Sequence, residues 1–269
     1  MDIGTAKPTK AQQGEVPHHM LDLIEPDRFY SAAEYKRNAD LVLERLASLS
    51  QIPIVCGGTG LYARALLEGI EVPEVSAQSD MRLELNLFAE QHGNEALHQK
   101  LRSLDSVAAE RLNVNDRIRI IRAIEVTTVM GKPFSQLATK TKPKHRTLWI
   151  GLHWSDRSKL KQAISDRLDF QMKLGLLEEV KSLFDNKAYR DVLVRAINYK
   201  EFRPYLDGTE KLEVCSNKCV TDTYQLSRKQ MIWFRANPLI KWFAVDELRI
   251  AQIGEQILNL YAQARTKRD

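Results

Sequence analysis

Apolar positions along the chain recur at two spacings. After Ser31, which forms a Ser-x-x-Glu capping box with Glu34, Tyr35, Ala39, Leu43 and Leu46 follow at intervals of three and four, predicting a helix to about Ser48. The run IPIV at 52–55 is short, apolar and β-branched and reads as a strand; CGGTG follows it and opens into LYARALLEG, a helix closed by Gly69. From Val72 the pattern is helical: SDMRLELNLFAEQHG, NEALHQKLRSLD, SVAAERL and NDRIRIIRAIEVTTVMG, the last capped by Asn115 or Asp116 and stopped by Gly131. TLWIGLHW (147–154) is the second strand candidate. A helix capped by Ser155 or Asp156 and ended by Gly175 comes next, LLEEVKSLF continues it, and LIKWFAV (239–245) is the third strand candidate. The opening DIGTAKPTKAQQGEVPHHMLDLIEP has turn residues and prolines without a helical period and reads as loop.

Three almost continuous apolar runs against about nine helices suit a parallel sheet covered on both faces, in the α/β class. Such sheets usually hold about five or six strands, so the sheet reads as incomplete. The chain has 269 residues, 43% hydrophobic and 28% charged, the composition of a folded globular protein. No run approaches the roughly 18 apolar residues of a spanning helix, and Met1 is followed by DIGTAKPTK; no membrane contact and a cytoplasmic location are expected. Cys56, Cys215 and Cys219 make no disulfide framework, and the i, i+4 pair lacks the further ligands of a zinc site; buried free thiols are expected.

The net charge of +5 matters through its placement. Arg117, Arg119 and Arg122 lie within two turns of one helix, with Ile118, Ile121 and Val126 expected in the core. Arg157 and Arg167 follow the second strand candidate; Arg228, Lys229 and Arg235 interleave with Trp233 and Phe234; TKTKPKHR adds a basic loop. A single arginine is most simply a solvated residue, but several clusters on different elements suit a groove for a polyanion, because phosphates reward bidentate donors. GTGLYA (58–63) formally fits the loose dinucleotide pattern G-x-G-x-x-G/A, yet no second strand with a terminal acid follows at the right distance. A tight turn, or a phosphate contact through its amides and Thr59, are the other readings. His18 and His19 are adjacent in extended chain and point apart, so they read as loop residues rather than joint metal ligands. No Ser-His-Asp constellation and no G-x-x-x-x-G-K-[ST] is present in these residues.

Taken together, DIGTAKP, PHHMLDLIEP, YSAAEY, IVCGGTGLYARALLEG, NDRIRIIRAIEV, GKPFSQL, RAINYKE and RKQMIWFR, in this order, resemble the bacterial and organellar tRNA dimethylallyltransferases. The resemblance implies a P-loop-kinase-like parallel-sheet core, here residues 1–72 and 143–269, with a helical insertion domain for tRNA binding at 73–142. It implies transfer of a dimethylallyl group from dimethylallyl diphosphate to the exocyclic amine of the adenosine 3′ of the anticodon, with Mg2+, by a monomer. By the same resemblance Arg167 steadies the diphosphate, and Thr59, Arg82, Arg119, Arg122, Arg195, Lys200, Arg228, Lys229 and Gln230 contact the tRNA anticodon stem-loop. Ile118 stands where many members have a polar residue, and Asn198 replaces the glycine of RAIGYKE.

Family members carry, ahead of the segment matching MDIGTAKP, a first strand, a P-loop, a helix, a second strand and the aspartate proposed as general base. None of these lies within the 269 residues. The expectation is therefore a core missing its first strands and an impaired enzyme, with a catalytically inactive tRNA-binding remnant as the alternative. A prenyltransferase acting on free adenine nucleotides is a third reading, though it would not need RAINYKE or the basic C-terminal helix.

Overall fold

The computed structural model describes residues 1–266. In chain order its helices are α1 (Lys10–Glu15), α2 (Ala32–Ser48), α3 (Gly60–Leu67), α4 (Ser79–Leu104), α5 (Ser106–Arg111), α6 (Arg117–Met130), α7 (Phe134–Leu137), α8 (Arg157–Lys173), α9 (Leu176–Asp185), α10 (Arg190–Leu193), α11 (Arg203–Leu206), α12 (Leu212–Arg235) and α13 (Ile250–Thr266). Strand β1 (Ile150–His153) precedes α8, and β2 (Lys241–Ala244) lies between α12 and α13. The chain divides into two compact units: Met1–Tyr30 with Gly58–Gly60 and Arg146–Asp269, and Ser31–Gly57 with Leu61–His145. Residues 31–57 and 61–72 thus group with residues 73–142.

In the first unit β1 and β2 pair in parallel, Ile150 opposite Lys241 and His153 opposite Ala244. The α/β class with a parallel sheet is as the apolar runs imply, but the sheet has two strands rather than three among the described residues. The run at 52–55 lies outside any strand, without a ladder partner, and Ile54 is 90% exposed. β-branched sequence favours strand only where a neighbouring edge accepts its backbone bonds, and none does here. Cys56, in the same stretch, is exposed rather than buried, while Cys215 and Cys219 are buried as free thiols. The core of this unit is built from Leu168, Leu176, Val180, Phe184, Tyr199 and Phe202, closed by the two buried cysteines of α12. Asp156 caps α8 with its side chain, and Gly175, at φ +95, turns the chain into α9. The opening segment is not all loop: Thr9 and Gln12 form a capping box that starts α1.

The second unit is helical. Ser31 and Glu34 complete the expected capping box of α2. Leu85, Leu97, Leu101, Ile120 and Ile124 of α4 and α6 form its core, joined by the alanines of α5. Gly93, at φ +85, breaks the helical path inside α4 where the sequence divides it in two. Asp116 caps α6, accepting from the Arg119 amide at 3.3 Å, and Gly131 ends it in the left-handed conformation. Ile121 and Val126 are buried, but Ile118 is 83% exposed, contrary to its expected place in the core. It lies in the first turn, and the buried positions of α6 begin at Ile120.

Candidate functional site

In the first unit the glycine turn and the basic end of α12 meet. A Cβ at Gly58 would lie 2.1 Å from Gln230 Nε2, and one at Gly60 would lie 2.7 Å from the Trp233 ring. The turn therefore needs its glycines because it is seated on α12, and it holds exposed Thr59 between these two contacts. Arg228 and Lys229, within a turn and a half of Gln230 and Trp233, are exposed; the Arg228 guanidinium reaches Gln225 Oε1 at 3.4 Å. Helix α8 packs along α12, and across this pair the Lys161 ammonium sits 5.0 Å from the Tyr224 ring centroid. Arg167 is exposed on α8, three residues before Phe170, which is 60% exposed.

The RAINYK segment serves two purposes. The guanidinium of exposed Arg195 covers Phe29, 5.1 Å from the ring centroid. Lys200 turns inward, 3.2 Å from Asp222 and 3.4 Å from Glu201. Burial pushes the Glu201 carboxyl above its ordinary pKa. Between these residues, Asn198 adopts φ +71 in place of the family's glycine. Its amide donates to the Gly4 carbonyl at 2.6 Å and accepts from Cys219 Sγ at 2.8 Å. Glu179 completes the fixation of the chain start, accepting from the amides of Asp2 and Ile3 at 2.9 Å and from the Tyr199 hydroxyl at 2.5 Å. Burial acts to raise the Glu179 pKa, but Tyr199 and these amides hold it below the usual carboxylate range.

In the second unit Arg82 and Arg122 converge on one carboxylate. Glu125, fully buried on α6, accepts from Arg82 Nε at 2.7 Å and Nη2 at 2.8 Å, from Arg122 Nη1 at 2.6 Å and from the Gln78 amide at 2.7 Å. Burial would raise its pKa; the guanidiniums and the amide overcome that and hold it at about 2. Arg119 lies apart from this cluster, 64% exposed and 3.3 Å from Asp116. The sequence reading missed Glu125, although its spacing of three from Arg122 on a helix was a usable signal. A cavity of about 420 Å³ in this unit is lined by Arg64, Arg111, Ser135, Thr139 and Lys140 among others, and includes none of the expected site residues.

Among the described residues no three His, Cys, Asp or Glu side chains gather as metal ligands. Among the described residues no helix is long and apolar enough to cross a membrane.

The sequence matches the IPP transferase family over residues 1–237. A tRNA dimethylallyltransferase from Carboxydothermus hydrogenoformans is 36% identical over 261 residues, covering 96% of this chain and 84% of its own length. The full-length tRNA isopentenylpyrophosphate transferase of Bacillus halodurans superposes with a TM-score of 0.67 at 32% identity, covering 98% of this chain and 83% of that one. A eukaryotic dimethylallyltransferase acting on tRNA, 22% identical, shares the fold with a TM-score of 0.77 over 99% of this chain and 70% of its own. The fold is thus the P-loop-kinase-like one of these enzymes. With the match running through both units and containing every site residue named above, the chain belongs to the IPP transferase family.

Proposed function

We propose that the chain acts in dimethylallyl transfer from dimethylallyl diphosphate to the exocyclic amine of the adenosine 3′ of the anticodon in tRNA. The observation that carries this reading furthest is the seating of the Gly58-Thr59-Gly60 turn on Gln230 and Trp233, beside exposed Arg228 and Lys229. Backbone amides, a hydroxyl and cations then lie around one helix end, a donor set suited to an RNA backbone. Exposed Arg195 and Arg119 add further phosphate contacts, and the helices at 73–142 form the inserted tRNA-binding part. Lys200, paired with Asp222 and Glu201, acts by fixing the RAINYK segment.

The reaction sets two demands. The amine must lose a proton to a base as its nitrogen bonds the allylic carbon, and the leaving diphosphate must have its charge absorbed. Arg167, exposed on α8, meets part of the second demand by donating to the departing diphosphate. The 269 residues contain no G-x-x-x-x-G-K-[ST] match, so the backbone cradle that would meet the rest is not found in them. Measuring anticodon stem-loop binding by the purified 269-residue chain tests this reading: binding that weakens as salt rises is expected, and absence of binding would reject the interface.

A further inference from the structure

We infer that Glu125 is a positioning residue for RNA binding: from its buried place on α6 it sets the guanidiniums of Arg82 and Arg122 as a fixed receptor for a phosphate of the tRNA backbone. This rests on the proposed tRNA reading and adds a residue to it. The geometry is a two-sided clamp. Arg82, in the first turns of α4, presents Nε and Nη2 to the two carboxylate oxygens as a fork, while Arg122 reaches the same carboxylate from α6 through Nη1. The second Arg122 nitrogen, Nη2, donates to the Pro73 carbonyl at 3.3 Å, so its plane is held at two points as well. The carboxylate also accepts from the backbone N–H of Gln78, the N-cap of α4, whose own side chain makes no capping bond. One buried anion therefore ties α4, α6 and the loop leading into α4 together.

The exposures argue for a role beyond packing. Glu125 is 0% exposed, whereas the Arg82 and Arg122 side chains are 41% and 29% exposed. Two guanidiniums against one carboxylate leave one net positive charge, and Arg82 Nη1 makes none of the bonds to Glu125. A guanidinium already fixed in plane loses less freedom on binding a second oxyanion than a free surface arginine does, and offers a fork that a lysine does not. The ligand class is an oxyanion with two accessible oxygens, which an RNA phosphate supplies.

The test measures binding of a synthetic anticodon stem-loop to the full chain at fixed salt, with circular dichroism and thermal midpoints recorded for every variant. Glu125→Gln is expected to weaken binding about tenfold at temperatures where the variant is folded. Glu125→Asp, which keeps the charge but withdraws the anchor by one methylene, is expected to weaken it several-fold. In an Arg82→Ala/Arg122→Ala background both changes are expected to leave affinity within about twofold, because Glu125 acts through the arginines. A purely structural carboxylate would shift the thermal midpoint without this coupling. If Glu125→Gln fails to fold, Glu125→Asp decides. Parent-like binding by the folded Glu125 variants, alongside weakened binding by the double arginine variant, would overturn the positioning role. Parent-like binding by the double arginine variant would instead reject the tRNA reading of this cluster.

Discussion

Asn198 shows what a single residue contributes where the chain departs from its family. At φ +71 most side chains are strained, and asparagine is tolerated there better than any other residue but glycine. Its amide then adds the bonds to the Gly4 carbonyl and Cys219 Sγ that a glycine would lack. Asn198→Ala should therefore destabilise by about 1–3 kcal/mol, combining left-handed strain with the lost bonds, and Asn198→Gly by less; urea unfolding measures both. Burial, with the nearby Glu201 and Asp222 carboxylates, pushes the Cys219 thiol up to about 12, so it stays protonated as the donor to Asn198 at neutral pH. Glu125 sets the acid limit of the second unit. Its pKa, about 2 against an ordinary 4.5, is depressed on folding. Its stabilising contribution is therefore complete above about pH 4.5 and is lost as the pH falls toward 2. Unfolding free energy should drop across that window, and Glu125→Gln should make the drop shallower. The arginines at these positions were legible in the sequence as charge on a helix; their common buried partner was not, since the pairing of Arg82 with Glu125 spans 43 residues.

At the scale of elements, the helix boundaries were the most legible features. Ser31, Asp116 and Asp156 cap their helices, and Gly131 and Gly175 stop or turn them, because capping depends on neighbours within one turn. The strand at 52–55 was misread because pairing is nonlocal. The glycine turn belongs to the same scale. Its apparent dinucleotide pattern reflects close packing on α12: the Cβ of Gly60→Ala would press on the Trp233 ring, whereas that of Gly58→Ala meets the flexible end of Gln230. Gly60→Ala should lower the thermal midpoint and weaken stem-loop binding more than Gly58→Ala, with the two compared by differential scanning fluorimetry and by anisotropy. Equal effects would argue that the turn is held by its backbone alone.

At the scale of the whole molecule, phosphate binding through separate arginines makes RNA affinity strongly salt-dependent. A plot of log affinity against log salt should be steep for the parent chain, and Arg119→Ala should reduce its slope by about one, since this exposed side chain lies outside the Glu125 clamp. Arg122→Ala should have a larger effect on stability, because it leaves a buried carboxylate short of a donor. Family, fold class and the basic character of the candidate interface were determined by the sequence itself, because ordered motifs, apolar periodicity and charge are properties of residues in line. The tertiary structure alone decided that Gly58 and Gly60, either side of Thr59, are seated against Gln230 and Trp233 of α12, that Lys200 faces carboxylates, and that Arg82 and Arg122 share Glu125. Those are meetings of distant segments, fixed by which apolar faces are buried together, and the energy of a buried charge depends on what has been brought to it in space.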